Sequence, residues 1–490
     1  MPCALKYHVL LVLLLVCCCC AIAQLQEKGQ TVNTFPATVQ QGSPGVTDSV
    51  AVYAPFVVRN IIIRGNRKTK DKIILREIPF KKGDHFQLQD LVRKFEDARR
   101  QLMNTTLFHD VVVALKGFEG YNVDVLVEVK ERWYIFPLPY FKPIDRNLNQ
   151  WIVENKLNFN RVNYGIKVLD NNLTGNNDKL NVWLINGYTK QVSFNYSKPY
   201  IDKQLKWGMN VGLGIGKNRE VNYNTVNDKQ VFYKDENNFV RSFFRSYGEV
   251  TYRRAIKTTH RFGIAYNEEL VGDTIAKLNP SYFSPGRTRI RFPELYYTMT
   301  YFDLDYIPYP TRGYAAELTV DKKGFNNIIN LWQLSFKGSA NYQLFRKTFL
   351  NLNVNSTVKL PFKQPYFNKQ MLGYGDTFLQ GYEYYVIDGV AGGYLKATLA
   401  RQLFNFKIRI PANKYSTIDN IPFRVYGKIY GNAGYIHNPQ PGLNNLTDRM
   451  LYSCGIGLDI LTFYDFTLKL EWSFNQLGQN GLYLHKKSFF

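Results

Sequence analysis

The feature that most constrains this chain is an alternation of apolar and polar residues, which recurs from about Arg161 to the final Phe490. Between Leu350 and Leu360, Leu or Val occupies five even-numbered positions, and Asn, Thr or Lys occupies the odd ones. The same period of two is found at 162–168, 192–196, 314–320 and 466–474. A strand with this period has one apolar and one polar face. The pattern therefore predicts a mainly β structure made of many two-faced strands.

The first 23 residues predict a secretory signal peptide. Lys6 and His8 precede an apolar run, and the run is followed by the small-x-small site Ala21-Ile22-Ala23. Cleavage as a lipoprotein at Cys17–Cys20 is the less favoured alternative, because Val16 is a poor residue before such a site. Five of the six cysteines lie in this leader, so only Cys454 remains, which allows no internal disulfide and no cysteine metal site.

The alternating region predicts a transmembrane antiparallel β-barrel. The rest of the chain has no run of 18 apolar residues, which excludes a helical anchor, and the content of 35 Tyr and 34 Phe fits the aromatic girdles of such barrels. At about 20 residues per strand and connection, residues 161–490 give about 16 strands. The alternative is a secreted, soluble all-β protein. The net charge of +23 is scattered rather than clustered, which favours a basic lumen or lipid head groups over nucleic acid as its partners.

The region before the barrel differs in composition. Residues 24–55 are rich in Gln, Thr, Ser and Val and predict a flexible lead-in. Residues 56–137 predict a small domain in the order β-α-α-β-β, with helices over 70–78 and 88–102 and strands over 57–63, 111–115 and 123–129. We assign 138–160 as a connector and 161–490 as the barrel.

The small domain resembles a POTRA (polypeptide-transport-associated) domain. Two motifs carry this resemblance: the turn Gly65-Asn66 before the first helix, and the run Leu107-Phe108 followed by Val111 at the entry to the second strand. Thr106 departs from the small residue usual before Leu107. The alternative, any small α+β domain, would give the same order of elements without these motifs.

The barrel resembles the BamA/TamA-like outer-membrane assembly superfamily. Four stretches occur in the family's order: N-L-T-G-N-N with F-N-Y-S-K-P-Y (172–177, 194–200), Asp303 with P-T-R-G-Y (310–314), L-Q-G-Y with two glycines (379–382, 392–393), and Y-G-N-A-G with S-C-G-I-G (430–434, 453–457). The resemblance covers about 56–490. It implies a lumenal loop that carries Gln380, Gly381, Tyr382, Gly392 and Gly393, and strands that contact this loop through Asn432, Gly434, Ser453 and Gly455.

The sequence departs from the family at the two charged positions of this contact. Gln380 stands where the family has an arginine, and Asn432 stands where it has the partner aspartate. Replacing both partners avoids a buried unpaired charge. We therefore expect an amide–amide contact between Gln380 and Asn432 in the lumen.

The resemblance also implies a weakly held seam between the first and last strands. We place the first strand near Tyr164 and Ile166 and the last near Leu482, Leu484 and Phe490. Lys486-Lys487-Ser488 interrupts the apolar character of the last strand, which fits either a weak seam or an ordinary terminal strand with lysines at the interface. A seam with few hydrogen bonds can open and accept an incoming strand by edge addition.

The predicted function is non-enzymatic insertion or translocation of polypeptides at the bacterial outer membrane, with the POTRA-like domain in the periplasm. The histidines show no H-E-x-x-H spacing and there is no G-x-S-x-G elbow, so we expect no catalysis, cofactor or metal. The family implies unfolded outer-membrane or secreted proteins as clients, outer-membrane lipids and lipopolysaccharide as surroundings, and periplasmic chaperones and accessory lipoproteins as candidate partners. The alternatives are a passive or plugged pore for small solutes or lipids, and secretion of one dedicated partner protein.

Overall fold

The computed structural model describes residues 55–143, 156, 162–235, 237–409, 420–462 and 465–486. The predicted signal peptide (1–23), nearly all of the lead-in (24–55) and Phe490 lie outside the described residues. In the described part no helix is long and apolar enough to cross a membrane.

The N-terminal domain is a four-stranded sheet covered by two helices. Its elements are β1 (Phe56–Arg64), α1 (Asp71–Glu77), β2 (His85–Phe86), α2 (Leu88–Asn104), β3 (Phe108–Glu119) and β4 (Asn122–Glu131). The strand order is β2-β1-β4-β3, with β1 and β4 parallel. The predicted β-α-α-β-β order is confirmed, with the two-residue β2 as an addition. The apolar face of α2, with Leu91, Ala98 and Leu102, is buried because it packs on the valines of the sheet.

The two POTRA motifs lie where this domain is most tightly packed. Leu107, Phe108 and Val111 are buried in the domain core, and the Asn66 amide nitrogen donates a hydrogen bond of 2.9 Å to the Thr69 carbonyl. Gly65 has a φ of +88°, and a Cβ there would overlap the Val129 carbonyl oxygen. Only glycine fits a turn that is both left-handed and pressed against a neighbouring strand.

We expect Gly65→Ala to destabilise the N-terminal domain far more than Gly83→Ala. Gly83 has the same φ of +88°, but a Cβ there would have no atom within 4 Å. Gly83→Ala therefore measures only the cost of the left-handed backbone conformation, about 1–3 kcal/mol. Gly65→Ala adds the overlap with the Val129 carbonyl. Limited proteolysis of the full chain in increasing urea measures both variants. Equal midpoints for the two variants would show that the contact with β4 relaxes without cost.

The remaining main strands form one 16-stranded antiparallel sheet, which confirms the predicted barrel architecture. They are β5 (Ile135–Pro143), β6 (Val162–Asp170), β7 (Lys179–Gly187), β8 (Thr189–Lys198), β9 (Trp207–Asn218), β12 (Arg241–Tyr252), β13 (Thr258–Val271), β14 (Arg289–Leu304), β15 (Gly313–Lys323), β16 (Leu331–Phe345), β17 (Thr348–Leu360), β20 (Ala391–Arg409), β21 (Asn420–His437), β22 (Met450–Leu461), β23 (Thr467–Asn475) and β24 (Asn480–Lys486). Each strand pairs with its neighbour in chain order, and β5 and β24 are the two edges.

The first strand of the sheet begins earlier than the sequence suggested. Residues 138–143, assigned above to a connector, belong to β5, and Tyr164 and Ile166 lie in β6, the second strand. The prolines at 137, 139 and 143 hide this strand in the sequence, because proline cannot donate to a β ladder. Proline is tolerated here because β5 is an edge strand.

Smaller elements cover the end of the sheet that lies away from the N-terminal domain. They are the hairpin β10 (Glu220–Val226) and β11 (Lys229–Lys234), the helix α3 (Asp273–Leu278), a 3-10 turn (Tyr366–Asn368), and the short pair β18 (Gln370–Leu372) and β19 (Ile387–Asp388). The Asp228 carboxylate at the hairpin tip accepts hydrogen bonds from the backbone of Asn445 and Leu446. These connections therefore pack on one another over that end of the sheet.

Candidate functional site

The loop between β18 and β19 folds against the inner face of the last strands. The Tyr382 hydroxyl donates a hydrogen bond of 3.1 Å to the Tyr452 carbonyl, and the Gly381 carbonyl accepts one of 2.7 Å from the Asn475 amide. Gly381 has a φ of +89°, and a Cβ there would lie 3.1 Å from the Ser453 Cβ. The loop therefore contacts β22 and the end of β23 at close range, as the sequence motif implied.

The two amides that replace the family's ion pair do not bond to each other. The Gln380 amide nitrogen donates to Glu471 Oε1 at 2.7 Å, whereas the Asn432 amide nitrogen donates to Ser453 Oγ at 3.0 Å. No direct hydrogen bond therefore forms the expected amide–amide contact between Gln380 and Asn432, which stays a prediction. The physical reason is that Glu471 offers Gln380 a charged acceptor, which makes a stronger bond than an amide oxygen.

An ionic network lies beside Gln380, and we call it the lumenal charge cluster (Tyr309, Lys428, Asp459, Glu471 and His485). The Lys428 ammonium lies 2.5 Å from Asp459 Oδ1 and 2.5 Å from Glu471 Oε1. His485 Nδ1 is 2.6 Å from Glu471 Oε2, and the Tyr309 hydroxyl donates to Asp459 Oδ2 at 2.9 Å. The cluster joins β21, β22, β23 and β24 to each other and, through Gln380, to the loop.

Sequence reasoning missed this cluster. Lys428, Asp459, Glu471 and His485 lie on four different strands, and none of the sequence motifs contains them. One signal was present: Lys428, Asp459 and Glu471 occupy inward positions of strands whose other face is apolar. Only the register of the ladders shows that these inward positions meet.

The other predicted loop residues lie near the same contact. Gly392 and Gly393 begin β20 and pair with Ile436 and Tyr435 of β21. Gly434 pairs with Leu451, and a Cβ on it would lie 3.5 Å from Leu379 of the loop. Gly455 pairs with Tyr430. Gly434 therefore lies against the loop, whereas Gly455 lies against Tyr430 and Trp472. Gly392 and Gly393 lie on the loop's own return strand.

The free edge of β5 is poor in hydrogen-bond donors. In an antiparallel ladder, alternate residues direct their N–H and C=O groups to the same side. Proline cannot donate, so β5 pairs with β6 through Phe136, Leu138, Tyr140 and Lys142, and the alternate set faces away. That outward set is Ile135, Pro137, Pro139, Phe141 and Pro143. Three of its five members therefore lack an N–H, and among the described residues no ladder joins β5 to β24.

The predicted residues of the last strand lie on the other side of this gap. Leu482 and Leu484 are exposed on β24, which pairs with β23 on its other edge. Tyr164 and Ile166 are exposed on β6, one strand away from the edge. The seam of the described sheet is thus formed by β5 and β24.

The N-terminal domain is attached to the turns at one end of the sheet. Glu77 of α1 is 2% exposed and forms a two-pronged ion pair of 2.5 and 2.8 Å with Arg253, in the turn after β12. Further bonds join Arg76 to the Leu205 carbonyl (3.0 Å), Asn104 to the Leu304 carbonyl (3.2 Å), and Arg132 to Asp465 (2.7 Å). These bonds hold the domain to four separate turns of the sheet, and the Asn172 amide, which donates to the Thr69 hydroxyl at 3.0 Å, holds it to the turn between β6 and β7 as well.

The charge of Arg253 determines the ionisation of Glu77. Burial alone would raise the pKa of this carboxyl, but the positive charge and hydrogen bonds of Arg253, with the hydrogen bond from the Tyr200 hydroxyl (2.6 Å), lower the pKa below its ordinary value. The buried carboxylate is charged and paired. This attachment is therefore strong at neutral pH.

Comparison with known proteins agrees with this architecture. Residues 56–132 match the family model of the POTRA domain, the "surface antigen variable number repeat", and residues 172–463 match the model of the Omp85 superfamily domain. The outer membrane protein assembly factor BamA of Neorickettsia risticii is 32% identical over 114 residues, 23% of this chain and 15% of that protein. A putative outer membrane protein assembly factor of Treponema pallidum is 40% identical over 76 residues, 15% of this chain and 9% of that protein. Both matches therefore span only a small part of the curated relative.

A solved structure shows the same fold. The structure of BamA from Haemophilus ducreyi lacking POTRA domains 1–3 superposes with a TM-score of 0.50 at 15% identity, over 88% of this chain and 83% of that one. The Omp85 model spans more than half of the chain and includes the lumenal loop and most of the charge cluster. The chain therefore belongs to the Omp85 superfamily, and it is an outer-membrane protein whose POTRA domain lies in the periplasm.

Proposed function

We propose that this protein inserts or translocates other polypeptides at the outer membrane by pairing an incoming strand with an open edge of its sheet. The observation that carries this proposal is the seam between β5 and β24. Both strands have an unpaired edge in the described residues, and three of the five outward-facing positions of β5 are proline. No catalytic step is needed, because strand addition forms only hydrogen bonds and side-chain contacts.

The prolines lower the number of bonds that can close the seam. A backbone hydrogen bond contributes about 1 kcal/mol net, and more where water is absent. A seam that lacks three donors is weaker by several such bonds than a ladder of the same length. It is therefore the part of the barrel that opens at the lowest free-energy cost.

The lumen offers a poorer route than the seam. The loop that carries Tyr382 lies on the inner face of the last strands, and so does the lumenal charge cluster. The β10–β11 hairpin packs on the loops at the outer end of the sheet. The POTRA domain is bonded to five turns at the periplasmic end. These contacts support strand addition over a passive pore for small solutes.

The POTRA domain offers a second site for the same chemistry. Its strand β3 is the last in the order β2-β1-β4-β3, so one edge of Phe108–Glu119 is unpaired within that sheet. An extended client segment can add to such an edge in the periplasm before it reaches the seam. Unfolded outer-membrane or secreted proteins are the clients that fit this mode.

The test restores donors to the seam. In the double variant Pro137→Val/Pro139→Val, two N–H groups return to the outward edge of β5 while the side chains stay apolar. Two bonds of about 1 kcal/mol each shift the opening equilibrium about 30-fold toward the closed seam. We expect client insertion into vesicles by the reconstituted protein to slow by a comparable factor, and the barrel to unfold at a higher temperature.

The matched control is Leu138→Val, a position whose N–H already pairs with β6. It should change neither the insertion rate nor the unfolding temperature. If the double variant becomes more heat-stable but inserts clients at the wild-type rate, the seam is structural and the proposed route is wrong. If depletion of the protein leaves the outer-membrane proteome unchanged, the proposed activity itself is wrong.

A further inference from the structure

One hairpin of the barrel extends well past its neighbours on the periplasmic side. β17 pairs with β20 only as far as Thr348↔Arg401, and β22 pairs with β21 only from Leu461↔Arg424. Beyond these points β20 and β21 pair with each other down to Arg409↔Asn420. On the β22 side only residues 420–423 lie beyond the ladder, since 424–427 still pair with β22. We call segment 402–409 of β20, with its partner segment 420–427 of β21, the periplasmic ribbon. Transmembrane barrels ordinarily have short periplasmic turns, so the ribbon is an addition to the common plan.

The base of the ribbon fixes its side of the membrane. Tyr426 stacks on Tyr309 with ring centroids 4.5 Å apart, and the Arg424 guanidinium lies 5.4 Å from the Tyr306 ring. Both tyrosines belong to the turn between β14 and β15, and the POTRA domain bonds to this turn through Asn104. The ribbon and the POTRA domain therefore leave the barrel at the same end.

A β-bulge keeps an apolar row on the outer face of the ribbon. The register shifts between Gln402 and Phe404, which moves the outward positions of β20 from odd to even numbers. Phe404, Phe406 and Ile408 then lie 62, 47 and 50% exposed. Their partners across the pair share the same face, and the Phe406 and Phe423 rings stack at 5.4 Å. The partners are Val425, Phe423 and Ile421.

This row follows the lipid-facing surface of the barrel along the same strands, with the exposed Arg401 at the outward position between Leu399 and Leu403. Leu403 precedes the row on β20. On β21, Ile429 occupies an outward position in the same alternation as Val425 and is 55% exposed. No polar residue interrupts the outward positions of the ribbon in the described part. An apolar surface of this kind in water is an aggregation hazard, so its continuity with the lipid-facing surface points to lipid as its cover.

The charge of the ribbon fits an anionic surface. Its two segments contain Lys407, Arg409 and Arg424 and no Asp or Glu. The two exposed cations on β20, Lys407 and Arg409, alternate with the apolar row and so lie on the opposite face. An element with one apolar face and a basic face is the type that lies in a lipid interface, where basic residues are attracted to anionic head groups.

We propose that the periplasmic ribbon is a lipid-binding element that lies on the inner leaflet of the outer membrane. The apolar row enters the boundary between head groups and acyl chains, and Lys407 and Arg409 bind anionic phospholipid head groups. The ribbon thereby fixes the tilt of the barrel and the height of the POTRA domain above the membrane. This role is independent of the proposed insertion activity.

The test measures the depth of single positions in a bilayer. Phe406→Cys or Ile408→Cys, each in a Cys454→Ser background, is labelled with an environment-sensitive fluorophore in the full chain. The protein is then reconstituted in vesicles that contain anionic phosphatidylglycerol or phosphatidylcholine alone. We expect nitroxides near the head-group end of the lipid chains to quench the label about twofold or more, and more strongly in the anionic vesicles. Asn405→Cys, which lies on the opposite face of β20 and carries no charge, is the control and should be quenched much less.

A second variant separates the charge from the apolar row. Lys407→Gln/Arg409→Gln should remove the difference between the two kinds of vesicle while leaving the quenching in phosphatidylcholine. Water-like emission at both Phe406 and Ile408 would overturn the proposal. Two other results would also overturn it. Quenching or protection that rises with protein concentration would indicate that a second copy covers the row. Quenching or protection that requires an added client peptide would indicate a protein ligand.

Discussion

Lys428→Met is expected to lower the free energy of unfolding of the barrel by about 3–5 kcal/mol, the cost of leaving a buried charge without its partner. Lys428 is buried and is within 2.5 Å of the carboxylates of both Asp459 and Glu471. Without it, two acidic groups face each other on adjacent strands. His485 Nδ1 then remains 2.6 Å from Glu471 Oε2. The measurement is the urea concentration at which half of the protein loses its folded, heat-modifiable band on unheated gels.

The control for this prediction is Lys396→Met. Lys396 also lies on the inner face, but its described contacts are with the rings of Phe378 (4.5 Å) and Tyr394 (4.8 Å) rather than with a carboxylate. Its loss should cost much less. The double variant Lys428→Met/Glu471→Gln should recover part of the loss, because it removes one of the two carboxylates that Lys428→Met leaves without a partner. A variant Lys428→Met as stable as Lys396→Met would show that water replaces the ion pair.

Arg253→Ala is expected to have a similar effect on the attachment of the POTRA domain, about 3–5 kcal/mol. The substitution leaves Glu77 buried and charged with only the Tyr200 hydroxyl and the more distant Arg76 to compensate it. Pulse proteolysis of the full chain in urea measures the release of the domain. Arg254→Ala is the matched control, since Arg254 is the same residue type in the same turn but exposed.

The same ion pair predicts a pH dependence with a definite sign. The pKa of Glu77 is lower in the folded protein than its unfolded value of about 4.3. The stabilisation is therefore fully present above that value and is lost as the pH falls through the folded pKa. Glu77→Gln should flatten this dependence. If wild type and Glu77→Gln lose the attachment in parallel below about pH 4, other groups control it.

Part of the fold was predictable because it depends on local patterns. The alternation of apolar and polar residues from Leu350 to Leu360 predicts a two-faced strand, and the helical spacing of apolar residues in 88–102 predicts α2. Both predictions follow from backbone geometry alone. Gly65 and Leu107-Phe108 mark a turn and a core that the structure contains. The motif around Gln380 likewise predicted a loop against the late strands, and the loop does contact Tyr452 and Asn475.

The prolines of β5 show where local patterns failed. Pro137, Pro139 and Pro143 indicate a connector when the segment is considered alone, because proline cannot sit inside a sheet. All three occupy alternate positions of one parity, so β5 can pair with β6 through the other residues. Only the sheet order shows that the blocked side is an edge.

The partner of Gln380 shows what the sequence could not determine at all. The sequence by itself determined the strands, the POTRA-like domain, the inward and outward faces, and the loss of the family's charged pair at Gln380 and Asn432. The tertiary structure decided that Gln380 meets Glu471 rather than Asn432, and that Lys428, Asp459 and Glu471 form one cluster. The physical reason is register: alternation states which face a side chain occupies, but the hydrogen-bond ladder between strands determines which neighbour it meets.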